Sequence, residues 1–300
     1  MKLTHRILAG AIVALLPLSG AMACTISAWS ANTGTLLADD PDTNAGTNTP
    51  ETGHVKRVSG ACGLAPGTGV ASFVTDNSPA DGVYRARFYV FTGISSGAPR
   101  VFEAFTADAG GGTSIFSVTY DSAGGDLDFT AAGTTMASIP VVANKWYSVE
   151  FFHNTGSPLT ATVMGNNSAV ADSAPLTSTS VAAVAGTVQS VRLGNTNGVA
   201  LGFTSTPASN NNFGFAFDEF DSTRSATTAI GRLCRGDANG NANAALGDND
   251  LSALDAGAII AEALGTAVAA GQPDANEDGR VTALDAGLVI NMRLQNKKCN

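Results

Sequence analysis

The 300 residues carry a formal net charge of −9, which leaves room for one or two domains and excludes a nucleic-acid partner, because a phosphate backbone needs a basic surface. Hydrophobic residues make up 44%, charged ones only 14%, and there are 34 glycines. That balance excludes a disordered chain and fits an exported β-protein with many turns.

In chain order, Lys2 and Arg6 precede an apolar run over 7–18, and small residues follow to Ala21-Met22-Ala23. A basic start, a short apolar stretch and an A-x-A site read as a secretory signal peptide over 1–23. The run is shorter than the about 20 residues a bilayer needs, and no later stretch predicts a transmembrane segment. The expected destination is therefore the extracellular medium, the cell surface or the periplasm. A lipoprotein signal carries Leu or a similar residue three before its Cys; here Ala21 stands three before Cys24, so ordinary export is preferred to lipidation.

Four cysteines in an exported chain point to disulfides, since the destination is oxidising. They sort by position into Cys24 with Cys62 and Cys234 with Cys299. Free thiol pairs or a zinc site are the weaker alternatives, because the chain has no C-x-x-C.

From 24 to 230, short apolar and aromatic runs alternate with period two between turns rich in Gly, Asn, Ser and Pro. Tyr84, Ala86, Phe88 and Val90 alternate with Arg85, Arg87 and Tyr89. Tyr147, Val149 and Phe151 alternate with Trp146, Ser148 and Glu150. Phe213, Phe215 and Phe217 alternate with Gly214 and Ala216. One set of each is expected on a core face and the other outward. Further strands are expected at 101–105, 114–120, 127–130, 159–164 and 188–193. Many short strands predict a mostly β fold, an antiparallel β-sandwich.

From 231 to 300 the pattern changes: aromatic residues vanish and a repeat appears. Leu251-Ser-Ala-Leu-Asp-Ala-Gly-Ala-Ile-Ile260 aligns without gaps on Val281-Thr-Ala-Leu-Asp-Ala-Gly-Leu-Val-Ile290. Each copy predicts a helix, with Ser252 or Thr282 as N-cap and Asp255 or Asp285 three residues on. Neither helix can bury its apolar face alone, so two copies are expected to pack together.

The second copy is led by Asp274-Ala-Asn276-Glu-Asp278-Gly279-Arg280, with Thr282 and Asp285 following. Calcium takes six to eight oxygens, and side chains at loop positions one, three and five converge when position six allows a sharp turn. Arg280 is expected to give its carbonyl, Thr282 to act through water, and Asp285 to close the shell. The first copy starts Asp237-Ala-Asn239-Gly-Asn241 and ends at Asp255. Asp237 to Asp255 spans 18 positions where Asp274 to Asp285 spans 11, so loop one carries seven extra residues, within 242–247 or next to it. Counting back from Asp255 makes Asp248 the position-five ligand and Asp250 the carbonyl donor. Counting forward from Asp237 gives Asn241 instead, and both countings stand. Two calcium ions are expected, one per loop.

With its D-x-N-x-D-G start, an Asp at position twelve, no helix entering the loop and a near-twofold repeat, the segment from Arg235 to about Leu294 resembles a dockerin. The resemblance implies calcium-dependent folding and docking to a cohesin-like or cell-surface partner through Ala253, Leu254, Ala283 and Leu284. These four positions are apolar in both copies, where many dockerins are polar, and a core role for them stays open. The stretches 145–151, 190–194 and 215–222 give the N-terminal part a weaker similarity to laminin-G-like and concanavalin-like jelly rolls. Such folds host lectins, hydrolases and spacers alike.

A polysaccharide is the candidate ligand of the sandwich, with Trp146 and Tyr147 stacking on sugar if either points outward; core packing is the competing reading. Arg85 and Arg87 serve an acidic ligand or solubility. A hydrolase of this shape needs paired acids across a cleft, and no E-x-D-x-E strand occurs. Asp218, Glu219 and Asp221 form the nearest cluster, expected as the polar end of an edge strand or a further calcium set. His54 and His153 lie near no nucleophile motif.

Overall fold

The computed structural model describes residues 29–39, 56–60, 63–165, 177–203, 215–224, 227–240, 247–297 and 299. Cys24, Cys62, His54, Asn241, Phe213 and Gly214 lie outside the described residues.

Two seven-stranded antiparallel sheets form a jelly-roll-type sandwich. The first runs, edge to edge, β1 (Ala31–Thr33), β4 (Ser72–Asp81), β14 (Val188–Asn195), β7 (Arg100–Phe105), β8 (Ser114–Asp121), β9 (Asp126–Ala131) and β10 (Thr134–Pro140). The second runs β13 (Thr177–Ala183), β12 (Pro158–Gly165), β11 (Trp146–Asn154), β5 (Val83–Thr92), β16 (Phe215–Thr223), β3 (Gly63–Pro66) and β2 (Leu36–Asp39). A two-stranded ribbon, β6 (Ile94–Ser96) with β15 (Gly202–Phe203), sits beside them. Every strand expected from period two is present.

The alternation works as the pleat demands on the inner faces. Tyr84, Ala86, Phe88 and Val90 from β5 and Tyr147, Val149 and Phe151 from β11 enter the core. There Phe102 stacks on Phe88 at 5.5 Å and meets Phe151 at 4.5 Å, with Phe116 against Phe151 at 4.9 Å. Each such aromatic pair adds roughly 0.5–1.5 kcal/mol beyond its burial.

The outward set behaves differently. Tyr89, Phe91, Trp146 and Ala216 are also buried, in a second apolar cluster with Val58, Ala65 and Leu233. Register explains the grouping, since Trp146 pairs with Phe91 and Ala216 with Phe91 across neighbouring strands. What covers this outer face is the C-terminal module.

That module contains α1 (Ala253–Ala263) and α2 (Ala283–Leu294), which pack on each other through Ala256, Ile259, Ala286, Val289 and Met292. Ser252 and Thr282 are N-caps in full capping boxes with Asp255 and Asp285. A cap of this kind contributes about 1 kcal/mol. Cys234 and Cys299 form a disulfide across a sequence separation of 65. Closing a loop that long contributes about 4 kcal/mol in the chain-entropy model, and the bond suits an oxidising compartment. Among the described residues, no helix is long and apolar enough to cross a membrane.

Candidate metal centre

The two loops share the bonds of their first Asp and of the Asp at position five. In loop two the carboxylate of Asp274 accepts from the amides of Asp278 at 3.1 Å and Gly279 at 2.6 Å. In loop one Asp237 accepts from Asp248 at 3.0 Å and Asn249 at 2.7 Å. Asp278 then accepts from the Arg280 amide, as Asp248 does from Asp250, both at 3.0 Å.

The closing carboxylates are similar, except that Asp255 takes one more loop amide than Asp285 and that Asn276 Oδ1 accepts from the Asp278 amide at 2.9 Å. Asp285 accepts from the Asn276 amide at 3.1 Å and from the Thr282 amide and hydroxyl at 2.8 and 3.0 Å. Asp255 accepts from the amides of Ala238 and Asn239 at 2.9 and 3.0 Å, and from the Ser252 amide and hydroxyl at 2.7 and 2.9 Å. One carboxylate thus starts each helix and ties its loop's first residues to it. Thr282 is engaged in its helix cap, where its hydroxyl accepts from the Leu284 amide at 3.2 Å.

These equivalences place Asp248 in loop one where Asp278 stands in loop two, and Asp250 where Arg280 stands. Counting back from Asp255 is therefore the alignment the backbone follows. Position six is Gly279 at φ 78° in one loop and Asn249 at φ 62° in the other, the non-glycine residue type that tolerates this region best. The sequence alone did not single out Asn249, although an Asn directly after the Asp seven places before Asp255 is a usable signal.

The donor set fits a hard cation. Asp237, Asp248 and Asp255 each bring a carboxylate oxygen within 4.8 Å of the others. Asn239 donates from its amide nitrogen to Asp248 at 3.0 Å, while its buried Oδ1 has no hydrogen-bond donor. Burial pushes the Asp237 carboxyl up to about 6, and the charges of Asp255 and Asp248 push the same way against the two amides. In loop two, burial and then the charges of Asp285 and Asp278 raise Asp274 well above the usual carboxylate range. Asp285 is raised by burial as well. Oxygens that repel one another in a buried site are what a bound divalent ion would relieve.

Among the described residues, loop two alone is pressed against the sandwich. Lys145 Nζ donates to the Asn276 carbonyl at 3.1 Å, the Trp146 amide to the Glu277 carbonyl at 2.9 Å, and Lys56 Nζ to the Gly279 carbonyl at 2.8 Å. Burial lowers Lys56 to about 8, with the charge of Asp274 opposing the shift. The Glu277 side chain is buried and pairs with Arg232. Nothing in the local sequence marks Lys56 or Lys145 for this role.

The docking candidates stand clear of this contact. Leu254 is 71% exposed and Leu284 76%, and Ala253 and Ala283 are exposed too, so the core reading of these four is overturned. Further along the same helices, Ile260, Leu264, Ile290 and Leu294 are exposed.

Several sandwich expectations change. Trp146 and Tyr147 are both buried, one under the module and one in the sandwich core, so neither is open to stack on a sugar. Arg85 pairs with Glu150 at 2.7 Å, and Arg87 donates to the Glu219 and Gly231 carbonyls at 3.2 Å, so both serve internal partners. Asp218 and Glu219 lie on a central strand, β16, not on an edge. Asp218 accepts from the Val58 and Ser59 amides at 2.6 and 3.2 Å, and burial raises its carboxyl well above the usual range, with Glu219 adding to the shift. His153 is buried with Nε2 2.8 Å from the Gly186 carbonyl, and burial lowers its pKa. An open cleft of about 530 Å³ in the sandwich is lined by Thr106, Ile115, Ala131, Met136 and Val184 among other small or apolar residues, with no ionisable side chain among the described residues.

No protein-family model matches the sequence, and no curated protein matches it. Among solved structures, a protein of unknown function from Shewanella oneidensis MR-1 is similar at 14% identity and a TM-score of 0.36, over 67% of this chain and 80% of that one. The polysaccharide lyase family 7 alginate lyase AlgAT5 is similar at 8% identity and a TM-score of 0.30, over 48% and 59%. The Trypanosoma rangeli sialidase is similar at 10% identity and a TM-score of 0.36, over 55% and 25%. The chain thus spans about three fifths of the lyase and a quarter of the sialidase. Likeness at these scores carries no argument about activity.

Proposed function

We propose that residues 231–300 bind two calcium ions, one in each loop, and form a dockerin-like module on an exported, non-catalytic protein. Asp237, Asn239, Asp248 and Asp255 would hold one ion with the Asp250 carbonyl. Asp274, Asn276, Asp278 and Asp285 would hold the other with the Arg280 carbonyl. Calcium supplies a central charge that lets buried carboxylates stay ionised together. The observation that carries this reading is that the first Asp of each loop takes the same two amides and the last caps a helix, despite seven extra residues in the first. A helix cap alone would need Ser252 with Asp255, and Thr282 with Asp285; it has no use for Asp237 or Asp274 gripping two amides each.

The exposed Leu254 and Leu284, each at a helix start, support docking to a protein partner of cohesin type. A purely structural role on the cell surface is the second reading, and the packing of loop two on the sandwich favours it. Polysaccharide binding by the sandwich loses Trp146 and Tyr147 as its platform. A catalytic role is disfavoured because Asp218 and Glu219 are buried against Val58, Ser59 and Arg87.

Titration calorimetry on the mature protein tests the metal. Two calcium ions are expected, falling to one in Asp237→Ala and in Asp274→Ala. The same stoichiometry in wild type and both variants sinks the assignment. Retention of a cohesin-type partner that EDTA and Leu254→Asp/Leu284→Asp abolish would decide for docking over the structural reading.

A further inference from the structure

Residues 56–60 form a strap that touches both domains. On one side Asp218 and Glu219 of the sandwich hold Val58 and Ser59. On the other, Arg57 pairs with Glu262 of α1 at 2.6 Å, and Lys56 reaches the Gly279 carbonyl of loop two. Lys56 also lies over the Phe91 ring, with its Nζ 4.6 Å from the centroid. Phe91 in turn contacts Trp146 at 5.3 Å between ring centroids, and the Trp146 amide bonds loop two. Gly279 is pinned between them: a Cβ there would stand 2.7 Å from both Lys56 Nζ and the Phe91 ring.

Three carbonyls of loop two, at positions three, four and six, are thus spoken for by Lys145, Trp146 and Lys56. They line up with those donors only while the loop keeps its calcium-binding shape. Without a cation the buried carboxylates of Asp274 and Asp285 and the half-buried Asp278 repel one another, and the loop has reason to relax. Loop one is gripped by no sandwich residue among those described.

We infer that loop two is the joint between the two domains: an ion held there and the docking of the module on the sandwich are one coupled equilibrium, with Lys56, Lys145 and Trp146 as positioning residues. The inference rests on the calcium reading above. Linkage makes the coupling reciprocal, so the sandwich raises the affinity of loop two and calcium in loop two closes the strap. Loop one, though its first Asp grips two amides in the same way, is outside that coupling.

The test uses the whole mature chain and two matched substitutions, Asp278→Asn and Asp248→Asn, which remove one position-five charge from each loop and keep an acceptor oxygen. Hydrogen exchange of peptides covering 56–60 and 145–147 is followed across a calcium titration, with calorimetry run in parallel. Protection of both peptides is expected to rise with calcium. Its midpoint should move to about tenfold or more higher calcium in Asp278→Asn and stay at the wild-type value in Asp248→Asn. Calcium binding by calorimetry with no change in strap protection overturns the joint and leaves the metal reading standing. Equal midpoint shifts in both variants also overturn it, since coupling would then run through folding of the entire module. No binding heat would remove the metal reading, and the joint with it.

Discussion

In loop one and loop two the first Asp grips two amides and the last caps a helix, yet among the described residues only loop two is built into a larger contact. Loop one has seven more residues and turns at Asn249, which is exposed. Loop two has the compact spacing and turns at Gly279, which lies against Phe91 and Lys56 of the sandwich. The difference shows where such a loop keeps its specification. The geometry resides in a first Asp that grips two amides and a last Asp that caps a helix. Added chain between them costs little: lengthening such a loop from 12 to 19 residues costs about 0.4 kcal/mol in closure entropy. Contact with another surface is the stricter constraint.

The sharpest break of this comparison is at position six. Gly279→Ala places a Cβ on Phe91 and in a left-handed conformation, and is expected to cost about 3 kcal/mol, because strain and overpacking each cost 1–3 kcal/mol. Asn249→Ala meets only the strain and should cost about 1 kcal/mol. Thermal melts followed by far-UV circular dichroism in excess calcium compare the two; equal losses would mean that the sandwich does not constrain loop two. The smallest effect is expected from deleting 241–247, which gives loop one the spacing Asp237-Ala-Asn239-Gly-Asp248-Asn-Asp250-Leu-Ser252-Ala-Leu-Asp255. Stability should change by less than about 1 kcal/mol and the calcium stoichiometry should stay at two. A chain that loses its first site on this deletion would show that the extra residues supply ligands themselves.

Much of this architecture is legible in the sequence because it is written locally. The helix starts follow from Ser252 with Asp255 and Thr282 with Asp285, and the strands follow from alternation within each run. Alternation puts Trp146 and Tyr147 on opposite faces without saying which enters the core; Tyr147 does, and Trp146 points away from it. Its burial is not legible, because period two identifies one apolar face and is silent on what covers the other. Residues some 90 to 130 positions later do the covering. Asp218 misleads for a related reason: three acids near a domain's end suggest a wetted edge, but β16 is central and the strap amides satisfy the charge. The choice between Asn241 and Asp248 needed the backbone, because both are oxygen-bearing residues at an acceptable count.

The Cys234–Cys299 bond joins the first and last turns of the module, so chain entry and chain exit share one knot. A load applied between residue 300 and the sandwich passes through that knot. The polypeptide between the two cysteines can be reeled out by such a pull only if the bond is first reduced. With 65 residues at roughly 3.4 Å each, about 220 Å of slack stays locked away, and reducing conditions would release it as a single long step in a force–extension trace.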